Sequence, residues 1–175
     1  MAAQRVPWEL LALLAVVAVV AMQPQASNPI ALAVTGAAAA VRGIRNNNPG
    51  NIRRGEQWQG MAAQQTDPEF VRFVSMEMGV RALVRVLRTY YRTHGLRTVR
   101  GIVNRYAPPN ENNTGAYIAA VAAALRVDPD APIDFGDDDA LFALVRAIIR
   151  HEVGAAAALL VSDDTVRAGI RAAGP

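Results

Sequence analysis

The sequence predicts a mainly α domain of the α+β kind, with a small β-element near its start and a hydrophobic N-terminal helix in front of it. Three observations lead there. Apolar residues recur at helical spacing from Val80 onward, and residues that cap or stop helices bracket those stretches. The one segment dense in Asn, Pro and Gly, Asn46 to Asn51, is flanked by short runs of β-branched and aromatic residues.

The chain opens with WELLALLAVVAVVAM, Trp8 to Met22, with Arg5 ahead of it and the polar QPQASNP behind. Leu10 to Met22 has no polar face and is shorter than the roughly 20 residues a spanning helix needs. A basic residue before a short apolar core fits a secretory signal peptide. Residues 1–26 are therefore read as a signal peptide or membrane anchor. Residues 27–41 are read as an Ala-rich linker or second membrane-interacting stretch, and 42–175 as the soluble domain. That places the domain on the far, periplasmic face of the inner membrane, anchored or exported.

Within the domain, Asn46 to Asn51 cannot be a helix interior. Asn tolerates left-handed backbone and bonds neighbouring main chain, so a tightly wired loop is expected there. Asn51 to Arg54 and Phe70 to Val74 are the short extended pieces. Val80, Leu83, Val84, Leu87 and Tyr91 then fall at i, i+3, i+4, i+7 and i+11 of a helix that Gly95 ends. Arg81, Arg85, Arg88 and Arg92 follow the same spacing and read as a solvated face, with a polyanion-binding surface as the rival. A short helix begins after Thr98 and stops before Pro108. The next is capped by Thr114 and runs to Leu125, with Ile118, Val121, Ala122 and Leu125 inward. Asp138 to Val153 forms a helix that Gly154 stops, and Asp163 to Ala172 forms the last, capped by Ser162.

Composition removes several chemistries. The 175 residues include no Cys, which excludes a disulfide scaffold, a Cys-ligated zinc site and a thiol nucleophile. All 18 basic residues are Arg, so a Walker-type phosphate loop and Schiff-base chemistry are excluded too. His94 and His151 are too few for a His-rich metal site, and no cofactor or metal is implied. The net charge of +3 permits acidic partners and selects none, and no nucleic-acid partner is expected.

One carboxylate sits in an unusual place. Leu141, Val145, Ile148 and Glu152 occupy i, i+4, i+7 and i+11 of their helix, so Glu152 continues the core-facing stripe. It also lies in the last turn, where the helix dipole opposes another negative charge. Burial and that dipole both favour the neutral acid, and a proton-bearing carboxyl is what general-acid cleavage of a glycosidic bond requires. The competing reading pairs Glu152 with one of the many Arg side chains.

The string GIRNNNPGNIR (residues 43–53), with Trp58-Gln-Gly60, resembles a family of phage and prophage virion-associated or endolysin-like proteins. Further matching pieces are Phe70-Val-Arg-Phe73, Gly79-Val-Arg-Ala-Leu83, Tyr90, Thr98, YAPPNENNT (residues 106–114), Tyr117-Ile118 and AIIRHEVG (residues 147–154). They span most of Arg42 to Gly169. Family members usually read Glu-Asn-Gly in the last motif, whereas Val153 stands here in place of the Asn. A looser similarity, to glucosaminidases and lytic transglycosylases, rests on a Glu-x-Gly helix end, an Asn-rich strand and a Tyr-Ala segment. In this chain the Glu-x-Gly helix comes last instead of first. The resemblance thus implies a lysozyme-like fold in circularly permuted order.

The function implied is a peptidoglycan-degrading glycosidase of muramidase, glucosaminidase or lytic transglycosylase type, acting in host lysis or wall penetration. Glu152 is its general acid and Glu111, in the loop after Pro108-Pro109, the second carboxylate. Asn48, Asn51, Arg53, Trp58, Tyr106 and Tyr117 are the substrate-binding candidates. Arg45, Arg53 and the Arg81 stripe are suited to attract carboxylates of the peptide stems, whereas His151 reads as structural. The implied partners are glycan strands, a membrane through the N-terminal segment, and other virion proteins. Two other classes stand beside this one: a non-catalytic virion or membrane structural protein, and a cell-wall-binding module.

Overall fold

In the computed structural model, which describes residues 36–109 and 113–174, the chain packs before Arg42 is reached: Ala38 is buried in the main core and Val41 lies against it. The expected signal peptide or anchor lies outside the described residues. Among the described residues no helix is long and apolar enough to cross a membrane.

Helical residues 36–39 lead into a single turn, α1 (Arg42–Arg45), which the Asn-rich opening did not suggest. It ends where Asn47 adopts a left-handed φ of 51°. The loop from Asn46 to Phe73 is then held by side-chain amides. Asn46 Nδ2 donates to Asp67 Oδ2 at 2.8 Å, and Asn47 Nδ2 to the Phe73 carbonyl at 3.1 Å. Asp67 Oδ1 accepts from the Glu69 and Phe70 N–H groups. The Asn46 amide, with these N–H groups, holds the Asp67 carboxyl below the ordinary aspartate range despite its burial. Extended pairing among the described residues is confined to isolated antiparallel bridges, Arg53–Phe70, Met61–Phe73 and Thr98–Pro132. The expected β-element is this small because side chains take up backbone groups a ladder would use. Gln65, for example, accepts from the Arg72 N–H and donates to the Arg72 and Ala62 carbonyls.

The helices follow their caps. Ser75 accepts from Met78 N–H and opens α2 (Met76–Thr93); Gly95, at φ 64°, follows its end. Thr98 caps α3 (Val99–Tyr106). Asn113, not Thr114, caps α4 (Thr114–Leu125); Thr114 instead donates its hydroxyl to the Ala107 carbonyl at 2.7 Å, fastening α3 to α4. Asp137 caps α5 (Asp138–Val153), a short turn α6 (Ala155–Ala158) follows, and Ser162 caps α7 (Asp163–Ala172).

Helix α2 carries two apolar stripes. Val80, Leu83, Val84 and Leu87 enter the main core with Leu141, Leu144, Ile148 and Val166 from α5 and α7. Met78, Ala82 and Val86, spaced by four, face a second cluster built on Ile52, Val71 and Phe73. Gly79 lets α2 approach the Asn loop: a Cβ there would stand 1.9 Å from the Asn47 carbonyl oxygen. The Arg stripe is a solvated face only in part: Arg85 and Arg92 are exposed, Arg81 half-buried and Arg88 buried. Arg81 and Arg85 donate to the Ala172 and Ala173 carbonyls at the end of α7, where a cation complements the helix dipole. Arg88 is buried, and desolvation depresses its pKa.

Candidate active site

Gly154 ends α5 at φ 83°, ψ 158°, a conformation close to glycine-only backbone, and so leaves Glu152 in the last helical turn. The preceding apolar positions pin the helix in the core, and the next one, Val153, is also buried; its Cγ1 lies 2.6 Å from where a Cβ on Gly43 would stand. Val153 therefore fills a packing position against α1, and the middle residue of the Glu-x-Gly motif makes no polar contribution here.

Glu152 is half-buried and held from two sides. Asn51 Nδ2 donates to Oε2 at 2.9 Å and to the Glu152 carbonyl at 3.3 Å, and the Tyr117 hydroxyl donates to Oε1 at 3.0 Å. No Arg pairs with Glu152 among the described residues. A carboxylate has about four acceptor positions; Asn51 and Tyr117 each take one side of it, which leaves room on both oxygens for a proton and a substrate atom.

The two partners are themselves fixed. Asn51 sits at a left-handed φ of 47°, its N–H bonded to the Asn48 carbonyl at 3.0 Å. The Tyr106 hydroxyl donates to the neighbouring Gly50 carbonyl. Tyr117 is 2% exposed, and the His151 imidazole stacks on its ring at 3.5 Å between centroids. Burial, reinforced by the Glu152 carboxylate, pushes both phenols far above their ordinary value, so each is a permanent hydroxyl donor.

A cleft of about 400 Å³ opens beside this cluster, lined by Glu152, Asn51, Arg53, Tyr106 and Pro108 together with Arg42, Phe70, Val86 and Tyr90. Glu152, Asn51, Arg53 and Tyr106, which lie far apart in sequence, thus share one cleft as expected. Three expectations need correction. Asn48 is fully buried: it donates to the Ile52 and Val71 carbonyls and accepts from Ile52 N–H, so no part of its amide is left for a ligand. Trp58 is half-buried, packs on the second cluster and does not line the cleft. Tyr117 contacts Glu152 rather than the cleft and acts as a positioning residue. Glu111 lies outside the described residues. His151 is exposed and stacks on the Tyr117 ring. Sequence reasoning did not single out Arg42 or Val86; the spacing of Val86 by four from Ala82 and Tyr90 was the available signal.

A half-buried carboxyl, held by a phenol and an Asn amide, thus stands beside a cleft in a mainly helical domain. No protein-family model matches the sequence. Over 119 residues, 66% of this chain and 72% of the other, the chain is 39% identical to protein P5 of Pseudoalteromonas phage PM2. It belongs to the family of that phage protein.

Proposed function

We propose that the chain is a phage peptidoglycan glycosidase with a lysozyme-like site assembled in permuted chain order, and that Glu152 is its general acid. The observation that carries this reading is the Glu152 carboxyl itself. It lies on a cleft wall, is oriented by Asn51 and Tyr117, and is not neutralised by any Arg among the described residues.

In this reading a sugar strand lies in the cleft with its glycosidic oxygen at Glu152, which gives its proton to that oxygen as the C1–O bond breaks. An internal nucleophile of the substrate, an N-acetyl oxygen or a sugar hydroxyl, closes on C1. When it is a hydroxyl, its proton returns to the Glu152 carboxylate and an anhydro sugar is left; when it is the N-acetyl oxygen, a water opens the oxazolinium ring at C1 and gives its proton to Glu152. Such a route needs only one protein carboxylate, and Glu152 is the one acidic side chain among the described residues lining the cleft. A second groove, lined by Leu96, Asn104 and Arg105, shares Tyr90 and Pro108 with the cleft, which suits a polymer longer than one sugar. Membership in a phage protein family supports a role in lysis or in wall penetration from the virion, with the N-terminal apolar segment as membrane attachment.

Zymography on purified murein, with mass spectrometry of the fragments, tests the proposal. Wild type should release muropeptides, and Glu152→Gln should lose on the order of 10²–10⁴-fold in rate while keeping its helical circular dichroism. Wild type that binds sacculi without releasing fragments is a wall-binding module. Wild type inert in both respects fits a structural role in the virion or membrane.

A further inference from the structure

Tyr90 lines two cavities. One is the acid cleft; the other is the second groove, of about 650 Å³, which Tyr90 shares with Leu96, Gly101, Asn104 and Arg105. Both cavities fall within the roughly 300–1,000 Å³ of ligand sites. The local fold builds the groove. Gly95, at φ 64°, turns the chain back after α2, and the Leu96 N–H donates to the Tyr90 carbonyl at 3.0 Å, which keeps Leu96 close to Tyr90. Helix α3 buries Val99, Ile102 and Val103 and so turns Asn104 to solvent, while Tyr106 at its end reaches the acid cleft. Gly101 leaves room in the groove: a Cβ there would stand 3.5 Å from Leu96 Cδ2 and 3.3 Å from Thr98 Oγ1. The Tyr90 ring is braced, with Arg105 Cζ 5.3 Å from its centroid and His94 edge-on at 6.2 Å. Burial pushes the Tyr90 phenol above its ordinary value, so its hydroxyl stays a donor.

The groove brings three kinds of contact to one place: an apolar side chain in Leu96, an amide in Asn104, and an aromatic ring with a hydroxyl in Tyr90. Asn104 makes no hydrogen bond among the described residues, so its amide offers both a donor and an acceptor. A sugar ring that bears an acetamido group presents the complements: a methyl, an amide, and a face of C–H and hydroxyl groups. No net charge enters this match. We propose that the groove is a saccharide subsite for an N-acetylated amino sugar, further along the strand from the sugar whose bond Glu152 protonates. Asn104 bonds the acetamido group there and Leu96 covers its methyl. Tyr90, common to both cavities, lies where the strand passes from one to the other. Strands long enough to fill both cavities are therefore the preferred substrate. This rests on the glycosidase reading above.

The test is calorimetric binding to the full chain carrying Glu152→Gln, with β-1,4-linked oligomers of N-acetylglucosamine of two to six sugars as the probe. Affinity should rise about tenfold or more from the dimer to the hexamer, the range of one or two hydrogen bonds in a filled subsite. Oligomers of glucose with the same linkage, equally neutral but without the acetamido group, should gain little with length. Asn104→Ala should remove most of the gain and bring the hexamer down toward the dimer. Asn104 is exposed, so alanine there should leave the helical circular dichroism unchanged. Gly101→Leu, which fills the groove on a helix that accepts leucine better than glycine, should remove the gain as well. No gain with length, an equal gain for glucose oligomers, or a gain that survives both substitutions overturns the subsite. Release of muropeptides by wild type decides the glycosidase reading separately. Release without the gain keeps that reading and sinks the subsite; a gain that needs Asn104, without release, keeps the subsite as a glycan-binding groove and sinks the glycosidase.

Discussion

The loop from Asn46 to Phe73 and the helical scaffold form one site with different forces. The scaffold is held by apolar stripes: Leu83, Leu87, Leu144 and Ile148 are fully buried, and such packing tolerates conservative change one methylene at a time. The loop buries Ile52, Phe70, Val71 and Phe73 but is also held by directional bonds, from Asn46 to the Asp67 carboxylate and from Asn47, Asn48, Gln65 and Asp67 to backbone groups. Each such bond has one geometry, so the loop holds Asn51 against Glu152 closely and has little slack. The comparison teaches where the chain is brittle: in the polar wiring, and where that wiring meets α2.

The largest effect is expected at that junction. Gly79→Ala would put a Cβ 1.9 Å from the Asn47 carbonyl oxygen, a backbone atom that neither α2 nor the loop can move alone. Overpacking costs roughly 1–3 kcal/mol and sometimes more; with backbone on both sides the upper end is expected. Urea unfolding should show loss of most of the stability, and a variant as stable as wild type would mean that the loop yields more readily than its bonds suggest.

Next come two asparagines of the same motif, which should separate cleanly. Asn48→Ala strands the buried Ile52 N–H and removes bonds to two carbonyls, a loss of about 3 kcal/mol by the usual cost of orphaned buried groups. Asn51→Gly keeps the left-handed backbone open to it, removes the amide that holds Glu152, and should cost less than about 1 kcal/mol. Its signature is in the rate: kcat on murein falls about tenfold, the equivalent of about 1.4 kcal/mol in the barrier. If both variants lose stability alike, the division of labour drawn here is wrong.

That division shows how far the residues alone could be read. Helix α5 ends where Gly154 says it should and α7 begins where Ser162 says it should, because caps act within one turn. The cap of α4 slips by one, since Asn113 and Thr114 are both capping types and only the fold shows that Thr114 is drawn to Ala107. Spacing makes the Arg81 stripe a solvated face, which holds for the exposed Arg85 and Arg92, but it cannot show the carbonyl acceptors of Arg81 and Arg85, which lie some 90 residues away. The stripe through Leu141 and Ile148 put Glu152 against the core correctly, but no local pattern reveals that its partners are Tyr117 and Asn51. Nor can spacing tell Asn48 from Asn51. The difference is a turn of backbone that sends one amide inward and leaves the other at the cleft.

A smaller effect is expected for Tyr117→Phe, which keeps the ring stacked on His151 and deletes only the donor to Oε1. Because Tyr117 does not line the cleft, kcat should drop several-fold, up to about tenfold, with KM unchanged. A rise in KM would instead place its hydroxyl on the substrate.

The smallest effect sharpens the comparison through pH. Asp67 anchors the loop as an ionised acceptor, and the Asn46 amide with the Glu69 and Phe70 N–H groups holds its carboxyl below the ordinary value of 3.8. With a folded-state value depressed below the unfolded one, the unfolded chain takes up protons first as acid is added. The stabilisation from Asp67 is then complete above the ordinary aspartate value and is lost as pH falls through the lower, folded one. Asp67→Asn keeps an acceptor for the two N–H groups but turns an amide donor toward Asn46, and it no longer titrates. The difference in urea midpoint between wild type and Asp67→Asn should be level from neutral pH down to about the ordinary value and narrow below it. Helix-core variants such as Leu144→Ala carry no such titration, so their deficit should stay level across the same acid range. A deficit for Asp67→Asn that is equally level would mean that the loop is held by shape rather than by its charge-assisted bonds.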